Sequence, residues 1–86
     1  MQRNTPHEKR SGSVVAFVLA TIRTGHEYDV VDEAKKISGV KEVLITYGIW
    51  DAVIRIEVDT LSELDRIVTS IRGIKGVEHT VTLVGV

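Results

Sequence analysis

The two halves of this chain repeat each other. Ile37-Ser38-Gly39-Val40-Lys41-Glu42-Val43 aligns with Ile71-Arg72-Gly73-Ile74-Lys75-Gly76-Val77 at an offset of 34 residues. At the same offset Ala20 meets Ile54, Ile22 meets Ile56, Val30 meets Leu64 and Ala34 meets Val68. Two β-α-β units that converge on one kind of helix-to-strand turn read the same way. In either case the chain must close as two similar units sharing one sheet. At 86 residues it has room for a single small domain.

The segments follow from periodicity. Val14 to Ile22 is apolar on both faces, as a central strand should be. Thr24-Gly25-His26-Glu27 has the spacing of a capping box, in which a hydroxyl accepts an N–H three residues on and Glu reaches back. Val30, Val31, Ala34 and Ile37 recur at helical spacing, and Gly39 ends that helix. Val43 to Tyr47 is a second strand, and Gly48-Ile49-Trp50-Asp51 a hairpin connection. Ala52 to Val58 alternates cleanly as a third strand. Thr60-Leu61-Ser62-Glu63 is another capping box. Leu61, Leu64, Ile67, Val68 and Ile71 form the stripe of a second helix ending at Gly73, and Val77 to Val84 is the last strand. Twenty-three Val or Ile residues suit such a strand-rich chain.

The order β-α-β-β-α-β predicts an α+β fold. It is the ferredoxin-like sandwich: a four-stranded antiparallel sheet, first and third strands central, with two helices on one face. Ala52, Ile54, Ile56 and Val58 should meet the helices, and by the repeat so should Val18, Ala20 and Ile22. Val15, Phe17, Leu19 and Thr21 then lie on the spare face. Leaving the three apolar ones in water forfeits roughly 1.5–3 kcal/mol each. A contiguous face of this kind marks an interface, and the expectation is a two-fold homodimer packed sheet to sheet. Residues 1–12 carry no apolar periodicity and read as a disordered leader ahead of one domain over 13–86.

Composition removes several function classes. Lys and Arg number 11 against 12 Asp and Glu. Without residues 1–12 the balance is 8 against 11, so the domain is mildly acidic and charge gives no reason to bind DNA. Phe17, Tyr28, Tyr47 and Trp50 are too few and too scattered for a base-stacking platform. With no Cys there is no thiolate metal site and no thiol nucleophile. No Ser-His-Asp arrangement, phosphate loop or HExxH motif occurs, so no catalytic residue, metal or cofactor is assigned. No apolar run is long enough to span a membrane, and the expected location is the cytoplasm. His26, Glu27 and Asp29 read as solvated surface near a helix start, and His79 as a strand residue.

The hairpin is the remaining unusual spot. Trp50, the only Trp, sits in a turn. Gly48 permits an otherwise costly backbone, and Asp51 can accept hydrogen bonds from an ammonium group or from turn amides.

In this position within β-α-β-β-α-β, the Gly-x-aromatic-Asp of Gly48-Ile49-Trp50-Asp51 is the signature of a family. Val14 to Val86 resembles the C-terminal effector (RAM) domain of the Lrp/AsnC transcription regulators. The strand from Ala16 to Ile22, the Gly39-Val40 turn, the Gly76-Val77 turn and the closing strand with Thr80 and Thr82 fit as well. The resemblance implies sheet-to-sheet dimers, octameric rings of four dimers, and an amino-acid effector bound between neighbouring dimers. By position, Gly48 and Asp51 lie in the effector loop, Asp51 suited to an α-amino group. Tyr47 and Trp50 wall the cleft, and Thr80 and Thr82 line it. The family signature often has Tyr where this chain has Trp50, which changes the size of the pocket. Residues 1–12 cannot hold the family's helix-turn-helix, so the resemblance implies a non-enzymatic, stand-alone module. It would modulate transcription through full-length regulators, without direct DNA binding. Two other readings share the fold: a dimeric ferredoxin-like enzyme of the small monooxygenase type, and an ACT-like regulatory module.

Overall fold

The computed structural model describes residues 13–86; the expectation for residues 1–12 lies outside the described residues. The elements are β1 (Val14–Ile22), α1 (Glu27–Lys35), β2 (Val40–Ile45), β3 (Ala52–Val58), α2 (Leu61–Arg72) and β4 (Val77–Val84). The strands form one antiparallel sheet in the order β2-β3-β1-β4, with β1 and β3 central. This is the ferredoxin-like architecture.

Alternation along the central strands sorts the two faces. Ala16, Val18, Ala20 and Ile22 of β1 are buried, as are Ala52, Ile54, Ile56 and Val58 of β3. Against them pack Val30 and Ala34 of α1 and Leu64, Ile67 and Ile71 of α2. The core is entirely apolar: among the described residues no polar or charged side chain is buried. Val15, Phe17, Leu19 and Thr21 point away from the helices and are half-buried.

The repeat is real, but its offset changes along the chain. His26 and Thr60 occupy the N-cap positions, and α1 and α2 begin at Glu27 and Leu61, 34 residues apart. The first helix has 9 residues and the second 12, so beyond the helices the offset grows by three, to 37. Gly39 therefore corresponds to Gly76, not Gly73. Both have positive φ, 100° and 103°, whereas Gly73 is right-handed at −86°. Both turns close alike, Val40 N donating to Ile37 O and Val77 N to Ile74 O, each at 3.1 Å. Ile37-x-Gly39-Val40 and Ile74-x-Gly76-Val77 are thus the true pair. The glycine conformation is what the turn requires. The run of likeness at offset 34 concealed this because Ile, Gly and Lys recur on both sides of it.

The two helix starts also differ. Thr60 forms the expected box: its Oγ1 accepts from Glu63 N at 3.1 Å, and Glu63 Oε1 accepts from Thr60 N at 3.1 Å. Thr24 does not cap α1. The chain turns once more, His26 N donating to Arg23 O, and His26 takes the N-cap position with no side-chain cap. Glu27 reaches back only to Gly25 N, at 3.0 Å. The second strand also shifts. It runs Val40–Ile45, starting three residues and ending two residues earlier than its apolar run suggests, because β2 begins pairing with β3 at Val40.

Candidate functional site

The β2–β3 connection, residues 46–51, sits at the end of the sheet where β1 finishes and β4 starts. Four hydrogen bonds hold it. Thr46 N donates to Asp51 O at 2.9 Å and Thr46 Oγ1 to Trp50 O at 2.7 Å. Asp51 N donates to Ala20 O at 2.8 Å, and Asp51 Oδ2 accepts from Ile22 N at 2.6 Å. The last two bonds tie the loop to the final turn of β1. They satisfy amide and carbonyl groups that the sheet ladder no longer reaches. Asp51 thus serves the fold with one carboxylate oxygen.

Gly48 has φ of 110°, and a Cβ there would meet nothing within 4 Å. The backbone conformation, not lack of space, calls for glycine. Around it the loop displays apolar side chains. Tyr47 is fully exposed, Ile49 is 84% exposed and Trp50 is half-buried.

Thr80 and Thr82 stand elsewhere. Both are half-buried on the helix side of β4, in a groove of about 480 Å³ between β4 and α2 that also touches Val68, Arg72 and His79. Ala20 pairs with Ala52 on one side and Thr80 on the other, so β3 and β4 are two strand spacings apart, about 10 Å. One copy of the chain does not bring the Thr pair and the loop into one cleft.

On the free face, Leu44, Val53, Leu19 and Val81 pair in register as one apolar row across all four strands. Phe17 and Leu83 extend it. Beside them Arg55 bridges Glu42, at 3.6 Å, and Glu57. At the other end Thr21 Oγ1 accepts from His79 N at 3.0 Å where the β1–β4 ladder bulges. Among the described residues no three His, Asp or Glu side chains are grouped to hold a metal ion.

Sequence reading missed Thr46, which closes the loop from the β2 side. Its signal was a hydroxyl just ahead of a glycine-containing turn. It also missed Val68 and Arg72 as groove residues, because a helix stripe does not reveal which flank overhangs the sheet edge.

Residues 15–85 match the family model of the Lrp/AsnC ligand binding domain. The chain belongs to that family. An uncharacterised HTH-type transcriptional regulator of Pyrococcus furiosus is 40% identical over 82 residues, 91% of this chain and 55% of that one. A hypothetical protein from Pyrococcus horikoshii, PHS023, is 32% identical with a TM-score of 0.79, over 85% of this chain and 89% of its own. A transcriptional regulator of Neisseria meningitidis, NMB0573, solved as a complex with L-methionine, has the same fold. Its TM-score is 0.81 at 16% identity, over 100% of this chain and 57% of its own. This Lrp/AsnC domain spans about half the length of the curated regulators it matches. Those relatives support a regulatory module.

Proposed function

We propose that this Lrp/AsnC domain is an effector-sensing and oligomerisation module. In this reading it binds an amino acid and modulates transcription in the cytoplasm through other protein chains, full-length regulators of the same family among them. The observation that carries the reading is membership of a ligand-binding family combined with a core that offers a ligand no polar side chain. The core is apolar, and the grooves lie at the surface. A ligand of this fold therefore sits at an edge or between copies. The homodimer forms through the free sheet face, with Val15, Phe17, Leu19 and Thr21 at its centre, and dimers associate further into an octameric ring. Tyr47, Gly48, Trp50 and Asp51 form one wall of the effector site, and Thr80 and Thr82 the other. No element among the described residues is a helix-turn-helix, and in this reading DNA is contacted by full-length regulators.

The complex of the Neisseria relative with L-methionine supports an amino acid as effector and names the first one to try. Calorimetric titration with the amino acids, alongside light scattering, tests both halves of the proposal. Saturable heat with a change in assembly mass is the expected result. Absence of heat from every amino acid ends the effector assignment, and a monomer at micromolar concentration ends the sheet-face dimer.

A further inference from the structure

The start of β2 carries an irregularity that redirects a cation. Val40 pairs with Ile56 and Glu42 with Arg55, so the strand bulges at Lys41. Side chains alternate along a strand, and in an unbroken ladder Lys41 would stand opposite Arg55 on the free face. The bulge gives that place to Glu42, which bridges Arg55 there. Lys41 instead lines a groove of about 440 Å³ between the α1–β2 turn and α2. This groove takes in the last residues of β3, so it lies at the end of the sheet away from residues 46–51. Buried Val58 and Ile67 and half-buried Ile37 form its apolar floor. Arg66 shares the rim with Lys41, and Ser38 and Ser70 bring hydroxyls. Both cations are exposed, and among the described residues neither side chain makes an ion pair or a hydrogen bond. The acids differ. Glu57 is paired with Arg55, and Glu63 Oε1 accepts from Asp59 N at 2.9 Å and Thr60 N at 3.1 Å.

We propose that this groove is a separate ligand site, for a small organic monocarboxylate with a short apolar body. The carboxylate is held by Lys41 and Arg66, the two rim donors with no other partner, and the guanidinium offers it paired N–H groups. The apolar body covers Ile37, Val58 and Ile67. Asp59 and Glu63 on the same rim set the limit on charge. A ligand with one negative charge is balanced by the two cations, whereas a dianion would meet both carboxylates as well. The amino-acid site proposed above belongs to the other end of the sheet, and the two stand or fall independently.

Isovalerate is the probe, followed by nuclear magnetic resonance of the backbone amides. At millimolar concentration it should shift the Gly39, Lys41 and Ser70 amides saturably and leave Gly48 and Asp51 in place. Isoamyl alcohol, with the same body and no charge, should bind about tenfold more weakly, and so should inorganic phosphate. Arg66→Gln and Lys41→Gln should each weaken isovalerate about tenfold. Neither should move the denaturation midpoint, because neither side chain has a partner to lose. Asp51→Asn should leave isovalerate binding unchanged. The proposal is overturned by the absence of a saturable shift, or by shifts confined to residues 46–51 or 77–82, which would put the anion in the effector site. It is overturned equally by undiminished binding in both charge variants, or by phosphate matching isovalerate, which would mark an adventitious ion only. Titration with L-methionine in the same spectra reads the effector site separately, through residues 46–51.

Discussion

Asp51 shows how a side chain of the proposed site also serves the fold. Its Oδ2 accepts from Ile22 N, so removing the carboxylate strands a half-buried amide at the end of β1. Asp51→Ala should cost about 1–3 kcal/mol in denaturant unfolding, while Asp51→Asn, which keeps an acceptor, should recover most of it. Loss of ligand response in Asp51→Ala must therefore be read beside Asp51→Asn. The glycines divide in the same physical way. A Cβ on Gly39 would lie 2.6 Å from Ile67 Cδ1 and 2.9 Å from Val58 Cγ1, in addition to its positive φ. Gly48 has the positive φ and open space. Gly39→Ala should lower the denaturation midpoint clearly more than Gly48→Ala, since strain and overlap add at the first and strain acts alone at the second.

Among the elements, the helix starts are the clearest contrast. Thr60→Ala removes the hydroxyl half of a capping box, leaving only the bond from the backbone N–H at position 60 to Glu63, and should cost about 1 kcal/mol. Thr24→Ala, at a sequence match to the same motif, should stay within about 0.5 kcal/mol in the same unfolding assay because no cap bond is lost. The pattern Thr-x-x-Glu was legible at both places, but the turn made by His26 N and Arg23 O moved the first helix start two residues on. The strands were more legible than the turns. Period-two burial on β1 and β3 follows from the residues themselves. The change of repeat offset depends on α2 having one more helical turn than α1, which the sequence match crossed without showing. The candidate site was legible as a loop, since Gly48 and Asp51 announce a turn. Its fastening was not, because Ile22 and Ala20 lie about thirty residues away in the chain.

For the whole molecule, the free sheet face is the feature with the largest consequence. Leu44, Val53, Leu19 and Val81 line up across four strands, with Arg55, Glu42 and Glu57 interrupting the apolar surface at one corner and Thr21 and His79 at the other end. Leu19→Lys should leave the core untouched, since Leu19 points away from it, and shift the proposed dimer to monomer in sedimentation at micromolar concentration. Ala20→Lys, one residue on but inside the core, should instead prevent folding, as read by loss of the far-ultraviolet signal. Alternation by itself determined the fold class, the central strands and which side chains turn from the helices, because a strand's side-chain period is a local property of its backbone. The tertiary structure alone decided where Asp51 spends its carboxylate. It also decided which glycine matches which, and that the loop and Thr80 with Thr82 stand on different parts of one copy. Those outcomes depend on which strands become neighbours and on the length of each helix, and both are decided when the two halves pack on a common core.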